Sequence, residues 1–399
     1  MQVLSKEVIL TSQVFGGFFL TYSSVPNDGQ ELRFSAGWFT WGLFTTAAQA
    51  TLPYYWIFHE YSIALSTWAS YWTTSTTATV TFLEYTSSSL TSVVVFVSYI
   101  RKYRCFVEFH KIMERVEDTW SDLRRQPPES RIDMRILVAF VVAGTIVTID
   151  LAFWGLSTIN KLENHIIISI SYVSYLTTIF RSTSIFVHFT HVTQYLSKCF
   201  KDISIKIEQE LARKCFGRQM ETQYLPHIAM PQQSSNSPQC EMRTLMHIYC
   251  LLFDAVHQAN AFYCDQLLAI TSYLFFSIVF NLYYVFVTFK SGDHVQFLYA
   301  FVWALACVCY TVVIVQSAAD VTESADKIVT TICKTIQKDI DPTLRIQLDM
   351  FLLQVTNYIP AFSVQHLFKI KNDVLTKMAG AITTYLVILL QFQSQNEEN

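Results

Sequence analysis

Windows nearly free of charge alternate along the chain with crowded polar stretches. Crossing the hydrocarbon of a bilayer takes about 20 mostly apolar residues, because a helix rises only about 1.5 Å per residue. Seven windows have that length: Gly37–Phe58, Ala78–Ile100, Ile136–Leu156, Ile166–His188, Leu267–Phe289, Phe297–Gln316 and Val374–Phe392. Thr45, Thr46, Gln49, Thr51 and Pro53 dilute the first. The second is rich in Thr and Ser, whose hydroxyls can bond back to their own helix or across to a neighbour. No window shows the period-two alternation of a barrel strand. The expected fold class is therefore all-α, an integral membrane protein with seven transmembrane helices.

The polar stretches carry helical spacing of their own. Arg101–Arg125, Leu196–Phe216, Glu241–Asp265 and Ala318–Lys338 place apolar and charged residues at intervals of three and four. They are expected to prolong the spans into a helical bundle outside the bilayer. A bundle that large suggests subunit assembly. Gln219–Gln239, with Pro226, Pro231 and Pro238, reads as a flexible loop.

Composition agrees with a bilayer as solvent. Hydrophobic residues make up 52% of the 399 and charged residues 15%, against roughly 25% charged in soluble domains. A net charge of −3 gives no footing for nucleic acid. The opening residues lack the pattern of a cleaved signal peptide, so the first span is expected to insert as its own signal.

Charge sets the orientation. Of the 28 Lys and Arg, only Lys161 and Lys290 fall on one side of the spans, Arg181 lies within span four, and the rest share the other side. Basic residues are retained on the cytoplasmic side during insertion, which puts the amino terminus inside and, after seven crossings, the carboxyl terminus outside. A G-protein-coupled receptor requires the opposite orientation. A secondary transporter would show internal repeats and helices broken at mid-membrane, and neither pattern is visible. The organisation expected is a cytoplasmic segment (residues 1–35), spans one to six with their extensions (36–317), a cytoplasmic anchor segment (318–373) and a last span with an outside tail (374–399). None of the nine cysteines falls in an outside loop, so no disulfide is expected.

The search for chemistry is mostly negative. No phosphate loop, catalytic triad or cysteine-pair zinc spacing occurs, so the sequence gives no enzyme, no metal site and no cofactor. His188 and His191 have a spacing that could hold a metal on a helix, but nothing completes a site and they read as surface histidines. Arg181 reads either as the partner of an acid in the anchor or, the favoured reading, as a side chain reaching along its helix to the interface.

The last span is more specific. Thr384, Ile388, Gln391 and Gln395 share one helical face. A Gln391 amide turned to lipid would go unsatisfied at a cost of several kcal/mol. It either caps a helix end near the headgroups or faces a polar axis. The run Thr384-Tyr385-Leu386-Val387-Ile388-Leu389-Leu390-Gln391-Phe392, entered through Gly380-Ala381-Ile382-Thr383, resembles the carboxyl-terminal signature of insect gustatory receptors: Thr-Tyr, five hydrophobic residues, Gln-Phe. Those receptors are related to insect odorant receptors. The resemblance implies a tetrameric, ligand-gated cation channel at the plasma membrane of a sensory neuron dendrite, opened by a small-molecule tastant (sugar or bitter compound) and assembled with other gustatory receptor subunits. It implies that the last helix lines the pore, with Ile388 and Phe392 as constricting positions, and that Arg345–Phe362 forms a short anchor helix. Asn357, Pro360 and the run Lys369–Asp373 would then separate that helix from the pore helix.

The same resemblance puts the ligand among the outer halves of spans two to six. Polar and aromatic residues near that depth are Glu84 and Tyr85 in span two, Asp150 and Trp154 in span three, Tyr172 and Tyr175 in span four, Asn281 and Tyr284 in span five, and Trp303 in span six. Carboxylates inside a membrane are costly and usually functional. Aromatics there also serve as interfacial belts and packing.

Overall fold

The computed structural model describes residues 6–14, 16, 18–25, 29–67, 75–121, 165–223, 238–337, 342–365 and 368–398. Its elements in chain order are α1 (Lys6–Val14), β1 (Leu20–Val25), β2 (Gly29–Phe34), α2 (Ala36–Thr67), α3 (Ser75–Ser121), α4 (His165–Gln223), α5 (Pro238–Ser291), α6 (His294–Ile336), α7 (Pro342–Asn357), β3 (Ser363–Val364), β4 (Phe368–Lys369) and α8 (Asp373–Glu398). Span three, Ile136–Leu156, lies outside the described residues.

Four helices are far longer than a bilayer is thick. α4 has 59 residues, about 88 Å at 1.5 Å per residue against roughly 30 Å of hydrocarbon. α3, α5 and α6 run through 47, 54 and 43 residues. Each continues a predicted span into the polar stretch beside it without a break. α4 runs on to Gln223, so the loop expected to begin at Gln219 starts later. Three described helical stretches are apolar enough to cross a membrane by length and hydropathy: Met242–Ser291, His294–Ile336 and Asp373–Gln395.

Surface and core exchange character along these rods. At span level the outside is apolar: Phe44, Leu90, Phe289, Leu298 and Leu305 are exposed. On the extension of α3 the exposed positions include Arg101, Arg104, Lys111, Glu114 and Arg115. The interior is mainly apolar, because each rod keeps a three-and-four stripe turned inward. On α6 the stripe reads Ile314, Ala318, Val321, Ala325, Ile328 and Ile332, all buried. α4 answers with Phe189, Val192, Leu196, Phe200, Ile203 and Ile207.

Helix α2 holds Pro53, which has no amide hydrogen to return to the carbonyl of Gln49. The Ser89 hydroxyl of α3 donates to that carbonyl instead, at 3.2 Å. The weak first span is thereby tied to its neighbour.

Two short antiparallel hairpins depart from the all-helical expectation. β1 and β2 pair from Leu20↔Phe34 to Val25↔Gly29. The chain entering this hairpin is core material: Phe18, Phe19 and Leu20 are buried, and Phe19 meets Tyr99 of α3 edge-on at 4.7 Å. β3 and β4 form the second hairpin, Ser363↔Lys369 and Val364↔Phe368, between α7 and α8. The helix stop at Asn357 and restart at Asp373 match the breakers read in the sequence.

Candidate functional site

Helix α8 lies against the body with one face only. Asp373 opens it, well placed for the helix dipole, and pairs with Lys377 at 2.9 Å. Leu386, Leu389 and Leu390 pack on a cluster made by Val80 of α3 and Val279, Phe280 and Tyr283 of α5. Gln393 is buried on the same side and accepts a hydrogen bond from the Tyr283 hydroxyl at 2.8 Å. The opposite face carries Thr384, Ile388, Gln391 and Gln395, all exposed, flanked by Tyr385, Val387 and Phe392. The Thr384 hydroxyl is spent on the Gly380 carbonyl at 3.0 Å. Along the apolar stretch of α8 nothing is buried by the described chain. An apolar helix carrying an outward amide is thus left uncovered.

The lead into α8 is fastened to the long helices. Asn260 of α5 accepts from the Ser363 amide at 2.8 Å and donates to the Ser363 hydroxyl at 3.2 Å. Gln365, at the hairpin turn with φ of 41°, donates to Asp265 of α5 at 3.0 Å. Asp265 also holds Lys102 of α3 at 2.7 Å. Burial alone would raise the Asp265 carboxyl, but the bonds from Lys102 and Gln365 outweigh it and hold it below the usual range. Two helices of the body are therefore joined by polar bonds to the hairpin that precedes the uncovered helix.

The residues proposed for ligand contact fall on several helices. Asp150 and Trp154 lie outside the described residues. Tyr172 and Tyr175 fall on α4. Glu84 and Tyr85 are half-buried on α3. Asn281 is buried on α5 with its amide turned back on its own helix, to the Ser277 carbonyl at 2.7 Å and hydroxyl at 3.2 Å. Tyr284 is half-buried beside Tyr283. Trp303 lines a cavity. That cavity, about 480 Å³ counted to its open mouth, lies between α4, α5 and α6. Its walls include Ile179, Phe186, Leu274, Cys307 and Tyr310. By the span limits read from sequence it lies toward the inner half of span four, not the outer half.

Two readings are overturned. Arg181 does not reach the interface: it is 2% exposed and among the largest buried side chains. Its guanidinium donates to Thr46 (2.7 Å), Thr45 (2.9 Å) and Gln49 (3.1 Å), and to the carbonyls of Gly16 (2.8 Å) and Gly42 (3.2 Å). The polar residues that dilute the first span supply its acceptors, so a charge that would be costly in lipid is solvated inside the protein. Nor is His188 on the surface. It is 3% exposed, stacked among Phe18 and Phe106, with Nδ1 bonded to the Tyr263 hydroxyl.

These features fit a multi-pass helical membrane protein whose helices run well past the thickness of a bilayer and whose terminal helix keeps one face uncovered by the described chain. The chain belongs to the seven-transmembrane chemosensory receptor family, whose model matches residues 8–396. It is not an enzyme family. A Drosophila melanogaster protein named gustatory receptor 28b is 27% identical over 212 residues, a stretch covering 51% of this chain and 45% of that relative. The fold is shared with the insect olfactory receptor OR5 from Machilis hrabei. Its structure in complex with eugenol matches at a TM-score of 0.65 and 12% identity, over 97% of both chains. A second structure of that receptor matches at 0.64 and 10%, again over 97% of both chains.

Proposed function

We propose that this chain is a gustatory receptor subunit: a non-selective cation channel opened by a small-molecule tastant, sugar or bitter compound, in the plasma membrane of a sensory neuron. Four subunits, of this chain alone or mixed with other gustatory receptors, surround a pore lined by their α8 helices. The observation that carries the reading is the uncovered face of α8. Its exposed side chains are too apolar for water and include an amide too polar for lipid. Four copies turned to a common axis resolve both conflicts. Rings of Ile388 and Phe392 then close the path by dewetting, and Gln391 gives permeating ions a polar ring. The orientation with the amino terminus inside rests on the basic residues, and the cytoplasmic anchor on the helices that extend past the spans. The shared fold with a receptor solved around eugenol supports a small organic ligand held among the helices.

The test is whole-cell recording from cells expressing the chain, against sugars and bitter compounds, with Gln391→Ala and Phe392→Ala alongside. A ligand-evoked cation current whose permeability or leak changes in both variants is the expected result. A current indifferent to both would mean that α8 does not line the pore.

A further inference from the structure

The cavity between α4, α5 and α6 has a hydrogen-bonded hydroxyl pair in its wall. The Thr183 and Tyr310 hydroxyls meet across it at 3.2 Å, longer than the usual 2.7–2.8 Å between hydroxyl oxygens. The Tyr310 ring is steadied edge-on by Phe186 at 4.8 Å. Helical threonines elsewhere in this chain turn their hydroxyls back on their own helix: Thr193 to Phe189, Thr271 to Leu267, Thr288 to Tyr284 and Thr311 to Cys307. Thr183 does not. Its hydroxyl reaches across the cavity wall, so it is available to exchange partners without breaking its helix.

That pair is also the first rung of a ladder. α4 and α6 pack along their lengths, and hydroxyl residues recur on each every seven positions. Ser197 meets Ser324 at 2.8 Å and Ser204 meets Thr331 at 3.0 Å. The rungs keep one constant offset, which Thr183–Tyr310 shares. A guest that takes over the first rung therefore acts on a seam that runs the whole way along both helices.

We infer that this cavity is a second binding site, which shares Trp303 with the residues proposed for the tastant. It takes a compact apolar molecule, one ring or a short chain, bearing a single hydroxyl that inserts between Thr183 and Tyr310. Ser182, Tyr273, Trp303 and Cys307 add a few polar atoms to a wall that is otherwise apolar, and no charged side chain among the described residues lines it. A sugar carries more hydroxyls than these few polar groups can pair, and each one left over would lose water without a partner.

The experiment uses the purified full-length chain in lipid nanodiscs and follows thermal unfolding with increasing 4-bromophenol or bromobenzene, which differ by one hydroxyl. Saturable stabilisation is expected from both, with the phenol half-saturating at about fivefold lower concentration, the worth of one neutral hydrogen bond. In the Thr183→Val/Tyr310→Phe double variant that preference disappears while bromobenzene still binds. The double variant removes both partners at once and leaves no orphaned hydroxyl. Thr183→Ser, which keeps the hydroxyl, retains the preference and guards against a folding defect in the double variant. No saturable stabilisation by either probe, or a preference for the phenol that survives the double substitution, overturns the inference. Neither result depends on the chain conducting ions, so failure here is separable from failure of the channel reading.

Discussion

The Tyr283 hydroxyl donates to the Gln393 side-chain oxygen at 2.8 Å, with both residues buried between α5 and α8. Two residues earlier, Gln391 points outward. Neighbouring glutamines on one helix thus have different work: one fixes α8 to its own subunit, the other faces away from it. Tyr283→Phe removes the donor and keeps the ring, leaving a buried amide oxygen short of a partner. The expected cost is about 1–3 kcal/mol, read as a lower unfolding temperature. Because the bond holds the proposed pore helix, basal current should change in the same variant. The exposed-face variant Gln391→Ala should leave unfolding unchanged.

Arg181 draws together residues distant in sequence, bonding α2 and the turn at Gly16 from α4. Arg181→Leu strands several buried acceptors at once and is expected to cost more than about 3 kcal/mol, enough to abolish surface expression. Arg181→Lys does not rescue it, because an ammonium lacks the fork that reaches five acceptors. Gly16→Ala should fail similarly. Gly16 has φ of +67°, and a methyl there would lie 2.4 Å from the Thr45 hydroxyl oxygen and 2.8 Å from an Arg181 nitrogen. Surface biotinylation of the three variants is the measurement.

The long helices and the α7–α8 break were legible in the sequence because apolar period and breakers are local signals. Arg181 misled for the opposite reason. A lone cation in a span reads as snorkelling unless its acceptors are known, and those sit about 135 positions away on α2. The polar residues that weakened the first span were themselves the clue. His188 misled similarly, since its partners Phe18, Phe106 and Tyr263 come from three other segments. The cavity residues Thr183 and Tyr310 were passed over, although hydroxyls at 183, 190, 197 and 204 and at 310, 317, 324 and 331 repeat every seven residues. That repeat becomes informative only when the two helices are known to pack in parallel register.

The Lys102–Asp265 pair gives an acid-sensitive contribution. The Asp265 carboxyl titrates below its ordinary 3.8, so the folded chain binds fewer protons there than the unfolded chain as pH falls toward and through that range. Its stabilisation, about 1 kcal/mol for a largely covered pair, is whole above pH 3.8 and drains away as pH drops through the folded value. Lys102 is raised above its ordinary 10.5: burial pulls it down, but the contacts with Asp265 and Cys264 prevail. Its share is whole below that pH and lost above it. The unfolding temperatures of wild type and Asp265→Asn should therefore differ by a constant amount from pH 5 to pH 9 and converge in acid. A gap that does not narrow between pH 5 and pH 3 would show that the carboxylate charge is not what stabilises.

One rung of the α4–α6 ladder is unmade. Thr190 and Ser317 share the offset of the bonded rungs and are each 0% exposed, yet neither hydroxyl has a hydrogen-bond partner among the described residues. Burying a hydroxyl unpaired costs about 1–3 kcal/mol. Thr190→Val with Ser317→Ala should therefore raise the unfolding temperature, whereas Ser197→Ala with Ser324→Ala, which deletes a made rung pairwise, should be close to neutral. If the 190/317 bond forms when the channel opens, the same stabilised variant will need more ligand for half-maximal current, because the substitution favours the closed arrangement and removes a bond from the open one. A rise in unfolding temperature without any shift in ligand sensitivity would mean that the seam is static. A fall in unfolding temperature would mean that the two hydroxyls are satisfied in the folded protein.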